Sequence, residues 1–127
     1  MVQIHYFVIY KSITIYSTNN GGGGVQIESS YTVLVRNSKF DRNAFGMILD
    51  YCLFVNITGS TFDRNFGDGI KVSNSYAIGI IDSSTNDNNY SGMVINNCYF
   101  QDLYKWTAIS NKLYGLVTTT GKFVLNF

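Results

Sequence analysis

Three observations predict an all-β solenoid, a parallel β-helix of about five coils of 22–23 residues. Glycine recurs at Gly24, Gly46, Gly69, Gly92 and Gly115, and asparagine at Asn20, Asn43, Asn65, Asn88 and Asn111, each in steps of 22 or 23. Apolar residues alternate after each of the first four of these glycines, the period of a strand with one buried face. Val, Ile and Thr supply 33 of the 127 residues against 10 for Ala and Leu, which favours strands over helices. Proline is absent, as expected where almost every strand is central and each backbone N–H is needed in a ladder.

One domain spans 1–127. It opens on an irregular first strand or coil over 1–9, which contains the only histidine, His5. The Gly21–Gly24 run reads as a flexible bend: it lacks the Lys-Ser/Thr of a phosphate loop, and no helix follows it. Each coil then carries three short strands. The first holds Val25 and Ile27, then Met47 and Leu49, Ile70 and Val72, Met93 and Ile95. The second holds Val33 and Val35, Val55 and Ile57, Ile78 and Ile80. A third and shorter strand holds Ser38 and Phe40, Ser60 and Phe62, Ser83 and Thr85. Trp106 takes the serine position in the last coil and is expected to close that end of the core. A terminal strand over 122–127 ends the pattern.

A unit this short cannot bury its own apolar face, whereas stacked copies about 4.8 Å apart can. The repeated residues then form columns. Gly24, Gly46, Gly69 and Gly92 are expected to take positive φ at a bend. Asn43, Asn65 and Asn88 are expected to form a hydrogen-bonded ladder that satisfies bend backbone. Ser30, Cys52, Ser75 and Cys98 form a small, inward column. Cys52 and Cys98 lie two coils apart, about 9–10 Å by strand spacing, beyond the reach of a disulfide, so two free thiols are expected.

The segments Ser38–Leu49 (SKFDRNAFGMIL), Ser60–Val72 (STFDRNFGDGIKV) and, less closely, Ser83–Ile95 (SSTNDNNYSGMVI) carry a resemblance. The pattern Ser-x-Phe-x-x-Asn, then Gly and an apolar-x-apolar strand, resembles the β-helix repeats of the pectate-lyase-like superfamily over about residues 10–121. That resemblance implies a right-handed coil. It spans polysaccharide lyases and hydrolases, epimerases, phage tailspikes and surface proteins. The chain departs from the enzymes: it has no adjacent Asp pair, no Gly-His-Gly and no Asp-Pro-His-Asp segment.

Phe-Asp-Arg-Asn occurs at Phe40–Asn43 and at Phe62–Asn65. Stacking sets Asp41 beside Asp63 and Arg42 beside Arg64, with Asp87 above Arg64. Phe45, Phe66 and Tyr90, continuing toward Tyr114, read as an aromatic column next to them. With Arg42, Arg64 and Asp63 these rings form a candidate carbohydrate surface, since sugars take flat ring faces and polar hydrogen bonds. Under an enzymatic reading Asp41, Asp63 and Asp87 are the candidate acids or ligands, and Arg42 or Arg64 the base or charge stabiliser. Only that reading brings in a calcium ion; otherwise no cofactor or metal is expected. The plainer expectation is a solvated bend whose Asp and Arg neutralise each other while the rings shield loop backbone.

Lys and Arg number 9 against 8 for Asp and Glu, a net charge of +1, which gives no support for a nucleic-acid partner. No apolar run is long enough to insert in a membrane. Outward apolar residues such as Ile48, Phe54, Val94 and Phe100, and the need to cover a solenoid's ends, predict a homo-oligomer or part of a longer chain. The expected function is a non-enzymatic carbohydrate-binding or structural module of a surface or virion-associated protein, extracellular or at the cell or virion surface, although no signal peptide is visible. The alternative is a fragment or relative of a polysaccharide lyase or glycoside hydrolase acting on an acidic polysaccharide.

Overall fold

The computed structural model describes residues 2–5, 16–19, 21–119 and 121–125. The expected Asn20 rung, 1 and 6–9 of the opening segment, 10–15, 126–127 of the terminal strand and the side chain of Phe100 lie outside them. The described chain is a parallel β-solenoid. Its strands are β1 (Val2–His5), β2 (Tyr16–Thr18), β3 (Val25–Glu28), β4 (Thr32–Arg36), β5 (Lys39–Asp41), β6 (Met47–Asp50), β7 (Phe54–Thr58), β8 (Ile70–Ser73), β9 (Ala77–Ile81), β10 (Met93–Asn96), β11 (Cys98–Tyr104), β12 (Leu116–Thr118) and β13 (Gly121–Leu125).

One sheet runs β1-β3-β6-β8-β10-β12 and a second runs β4-β7-β9-β11-β13. Neighbours are parallel and one coil apart, as in Val25↔Met47, Met47↔Ile70 and Ile70↔Met93. The third side is a true strand pair only between β2 and β5. Beyond it the predicted third strands shrink to single bridges, Lys39↔Thr61↔Ser84↔Thr107. The described residues make four complete turns flanked by partial ones, against the five expected.

Alternation decides the interior. Val25, Ile27, Val33, Val35, Met47, Leu49, Val55, Ile57, Ile70, Val72, Ile78, Ile80, Met93 and Ile95 are all buried, as their period of two requires. Phe40 and Phe62 stack face to face inside the third corner, with centroids 4.8 Å apart and planes 6° from parallel. Trp106 packs against the core at the last complete turn, and its indole N–H donates to Thr85 Oγ1 at 3.1 Å.

The corners correct one expectation. Gly24, Gly46, Gly69 and Gly92 do not hold the positive-φ positions. Those are held by three other columns: Ser29, Tyr51, Asn74 and Asn97; Asn37, Gly59, Asp82 and Lys105; and Asn19, Arg42, Arg64, Asp87 and Ser110. Each left-handed non-glycine residue costs about 1–2 kcal/mol. The backbone N–H groups there donate to the next coil, as in Tyr51 to Ser73 O and Arg64 to Asn86 O. The glycine column exists because coils touch there. A Cβ on Gly24 would lie 2.2 Å from Gly46 O, and one on Gly46 would lie 2.2 Å from Gly69 O.

The asparagine ladder forms as expected. Asn43, Asn65 and Asn88 are buried, and each backbone N–H donates to the next Oδ1: Asn43 to Asn65, Asn65 to Asn88, Asn88 to Asn111, at 2.9–3.0 Å. Two serine-type columns act similarly. Ser38 and Ser60 donate backbone N–H groups to Ser60 Oγ and Ser83 Oγ, and Cys52 donates to Ser75 Oγ.

Candidate functional site

The Asp/Arg corner is built by the third left-handed column. Positive φ at Arg42 and Arg64 turns their side chains out, while the preceding residues stay in register. Asp41 is 2% exposed, and Arg64 of the next coil grips it at both oxygens, Nε to Oδ1 at 2.7 Å and Nη2 to Oδ2 at 2.8 Å. Arg42 Nη1 adds a 3.3 Å contact to the same carboxylate. Hydrogen bonding to Asp41, and then its charge, raises the Arg64 guanidinium above its ordinary value. Such bidentate, charge-assisted pairs hold geometry strongly. Asp63 accepts from Ser84 Oγ at 3.0 Å and from the Asn86 backbone N–H at 2.7 Å. Asp87 is exposed and adds its field to Arg64. The backbone alignment of Asp41 with Asp63, and of Arg42 with Arg64 and Asp87, is therefore as expected. Asp41 is committed to an ion pair and Asp63 to coil-to-coil bonding.

The expected aromatic column does not form. Phe66 stands level with Ala44 and Asn89, since its N–H donates to Asn43 O as that of Asn89 does to Asn65 O. Phe45 is level with Asp68, because Gly24 donates to Phe45 O as Gly46 does to Asp68 O. Tyr90 takes a third level, where Leu113 donates to its carbonyl. Phe45 instead covers Gly23, where any Cβ would meet its ring. Phe66 is 65% exposed and faces a shallow hollow of about 240 Å³ with Arg42, Asn19 and Gly21. Phe66 and Arg42 thus come together across the hollow, Arg64 meets Arg42 at the shared Asp41 carboxylate, and Phe45 and Tyr90 are outside the hollow's lining.

A true aromatic column lies at the corner between the first and second sheets. Tyr31, Leu53, Tyr76 and Tyr99 stand level on successive coils, fixed by Phe54 N–H to Tyr31 O, Ala77 N–H to Leu53 O and Tyr99 N–H to Ser75 O. All four are exposed. The Tyr76 and Tyr99 rings are 6.2 Å apart and tilted 34°, and Tyr31 meets Phe54 edge-on at 5.5 Å. Tyr51, at a left-handed position, stands 64% exposed beside them. Tyr51, Tyr76 and Tyr99, with Leu53, Asn74 and Asn97, border a cleft of about 440 Å³. Asn97 Nδ2 donates to Asn74 Oδ1, and Asn74 Nδ2 to Asp50 Oδ1, each at 2.9 Å. The sequence carried the signal: each column member directly follows Ser30, Cys52, Ser75 or Cys98.

Cys52 and Cys98 are buried thiols that form no disulfide. Burial pushes both thiols above the ordinary range, with the Asp50 charge adding to it and backbone hydrogen bonds opposing it. The unfolded thiol ionises near about pH 8.5, and the folded one at higher pH. The stability linked to these neutral thiols is full below about pH 8.5 and falls as pH rises toward the folded values. Urea midpoints between about pH 7 and pH 9.5 are expected to fall more for the native chain than for Cys52→Ser/Cys98→Ser. Equal falls would remove the thiols as the cause. Among the described residues no group of three His, Cys, Asp or Glu is placed to hold a metal ion.

The description "right handed beta helix region" matches residues 7–127. No curated protein matches the chain. Among solved structures, a putative glycosyl hydrolase from Parabacteroides merdae ATCC 43184 is similar at TM-score 0.42 and 8% identity, over 97% of this chain and 82% of that one. QnrB1, a plasmid-mediated fluoroquinolone resistance protein, is similar at TM-score 0.29 and 13% identity, over 95% of this chain and 74% of that one. Likenesses at these scores carry no weight for function. The family match, the parallel register and the three-cornered coil agree with the pectate-lyase-like resemblance, and the chain belongs to the right-handed β-helix family.

Proposed function

We propose that this chain is a non-enzymatic recognition module that binds carbohydrate along one side of the solenoid. One observation carries the reading: exposed Leu53, Tyr76 and Tyr99 of this column, with Tyr51 beside them, border a cleft of about 440 Å³ set with the amides of Asn74 and Asn97. Sugar rings lay C–H faces on aromatic rings and exchange hydrogen bonds with amides. The earlier candidates Phe66 and Arg42, across their smaller hollow, are a secondary contact in this proposal. A cell- or virion-surface setting and self-association belong to the same proposal. Exposed Ile109, Leu113 and Tyr114 beside the last strands support the latter, since a second copy would cover them.

The test is a glycan-binding screen of the native chain, Tyr76→Ala and Phe66→Ala, with a parallel assay for cleavage products. Binding without turnover, weakened about tenfold or more by Tyr76→Ala, is the expected result. Turnover abolished by Asp63→Asn with binding retained would replace this reading by the lyase or hydrolase alternative, and with it the role of Asp87 and a calcium ion. A defined assembly with neither binding nor turnover would leave a purely architectural protein.

A further inference from the structure

We infer that the tyrosine-bordered cleft takes an uncharged, linear glycan lying parallel to the solenoid axis. The inference rests on the carbohydrate reading above and adds the ligand's charge and direction. Direction follows from the column. Its members recur once per coil, so their spacing along the axis is that of neighbouring strands, about 4.8 Å. The tilted Tyr76 and Tyr99 rings stand 6.2 Å apart. A chain of flat rings laid along the axis meets a side chain of the column at each coil, whereas one wrapped around the coil meets a single member.

Charge follows from the lining. None of the residues bordering the cleft is charged. The nearest charge in its hydrogen-bond network is the Asp50 carboxylate, which accepts from Asn74. An acidic glycan would bring its carboxylates toward that negative group with no cation among the lining residues to pair them. Arg42 and Arg64 lie at another corner of the coil and hold Asp41. The polar groups suit hydroxyls instead. Because Asn97 donates to Asn74 and Asn74 to Asp50, both amides are fixed in one sense, and Asn97 Oδ1 remains directed as an acceptor. Leu53 interrupts the rings at the second coil, so a tyrosine there would extend the stacking surface from Tyr31 to Tyr99 without a gap.

The experiment titrates the native chain, Leu53→Tyr, Tyr76→Ala and Tyr99→Ala with linear neutral hexasaccharides of the β-1,4-glucan, xylan, mannan and chitin types, and with hexagalacturonate. Thermal melts confirm that each variant is folded. The expected result is binding of at least one neutral probe, insensitive to added salt. Leu53→Tyr strengthens it about threefold or more, and Tyr76→Ala and Tyr99→Ala each weaken it about tenfold. Preference for hexagalacturonate that still depends on Tyr76 overturns the charge assignment and keeps the carbohydrate reading. Binding of a neutral probe that ignores Leu53→Tyr and Tyr99→Ala overturns the axial direction. Failure of every probe overturns both this inference and the reading beneath it.

Discussion

Gly46→Ala is expected to destabilise the solenoid by about 3 kcal/mol or more, read as a lowered urea midpoint. The added Cβ would lie 2.2 Å from Gly69 O and 3.1 Å from Asn65 Nδ2. The first neighbour is backbone and cannot swing aside. It is also the acceptor for the Met47 N–H at 3.0 Å, so moving it breaks the hydrogen bond that joins the two coils. Gly115→Ala is the matched control in the same column. There the nearest atoms are Ala108 Cβ and O, both at 3.4 Å, and the expected cost is below about 1 kcal/mol. Equal costs at the two positions would show that coil contact is not what the column serves.

Asn88→Ala is expected to cost about 3 kcal/mol. Its Oδ1 accepts from the Asn65 backbone N–H at 2.9 Å and from Asn65 Nδ2 at 3.0 Å. Its Nδ2 donates to Phe62 O at 2.9 Å and to Asn111 Oδ1 at 3.0 Å. Truncation leaves the buried Asn65 N–H without this acceptor, and an unpaired buried donor alone costs about 1–3 kcal/mol. Asn97→Ala removes a side-chain bond from the exposed ladder, where water replaces the partner, so its expected cost of about 1 kcal/mol is mainly the strain of alanine at a left-handed φ. An Asn88→Ala midpoint no lower than that of Asn97→Ala would sink the argument that the inner ladder supports the coils.

Both effects concern residues whose importance was visible as period, but only one reason was legible. A buried amide column has one use, satisfying bend backbone, and Asn43, Asn65 and Asn88 do that. Glycine has two uses, positive φ and close approach. A linear pattern does not separate them, and here it is close approach, while Tyr51, Arg42 and Arg64 carry the left-handed conformation. The candidate acids were legible as a register and not as an environment. Asp41 and Asp63 do stand on successive coils, but burial and the reach of Arg64 commit the first to an ion pair. The tyrosine column is masked in the sequence because Leu53 breaks its chemistry, although its spacing of 22 and 23 residues is present.

The sequence by itself determined the coil length, the inward residues of the first two strands and the ladders. Each of these is repeated locally, at a period the backbone imposes on every coil alike. The tertiary structure alone decided which residues stand level at the long bend. Two residues separate Asn43 from Gly46, while three separate Asn65 from Gly69 and Asn88 from Gly92. Vertical alignment there is set by hydrogen bonds between coils. Those bonds place Phe45, Phe66 and Tyr90 on three different levels.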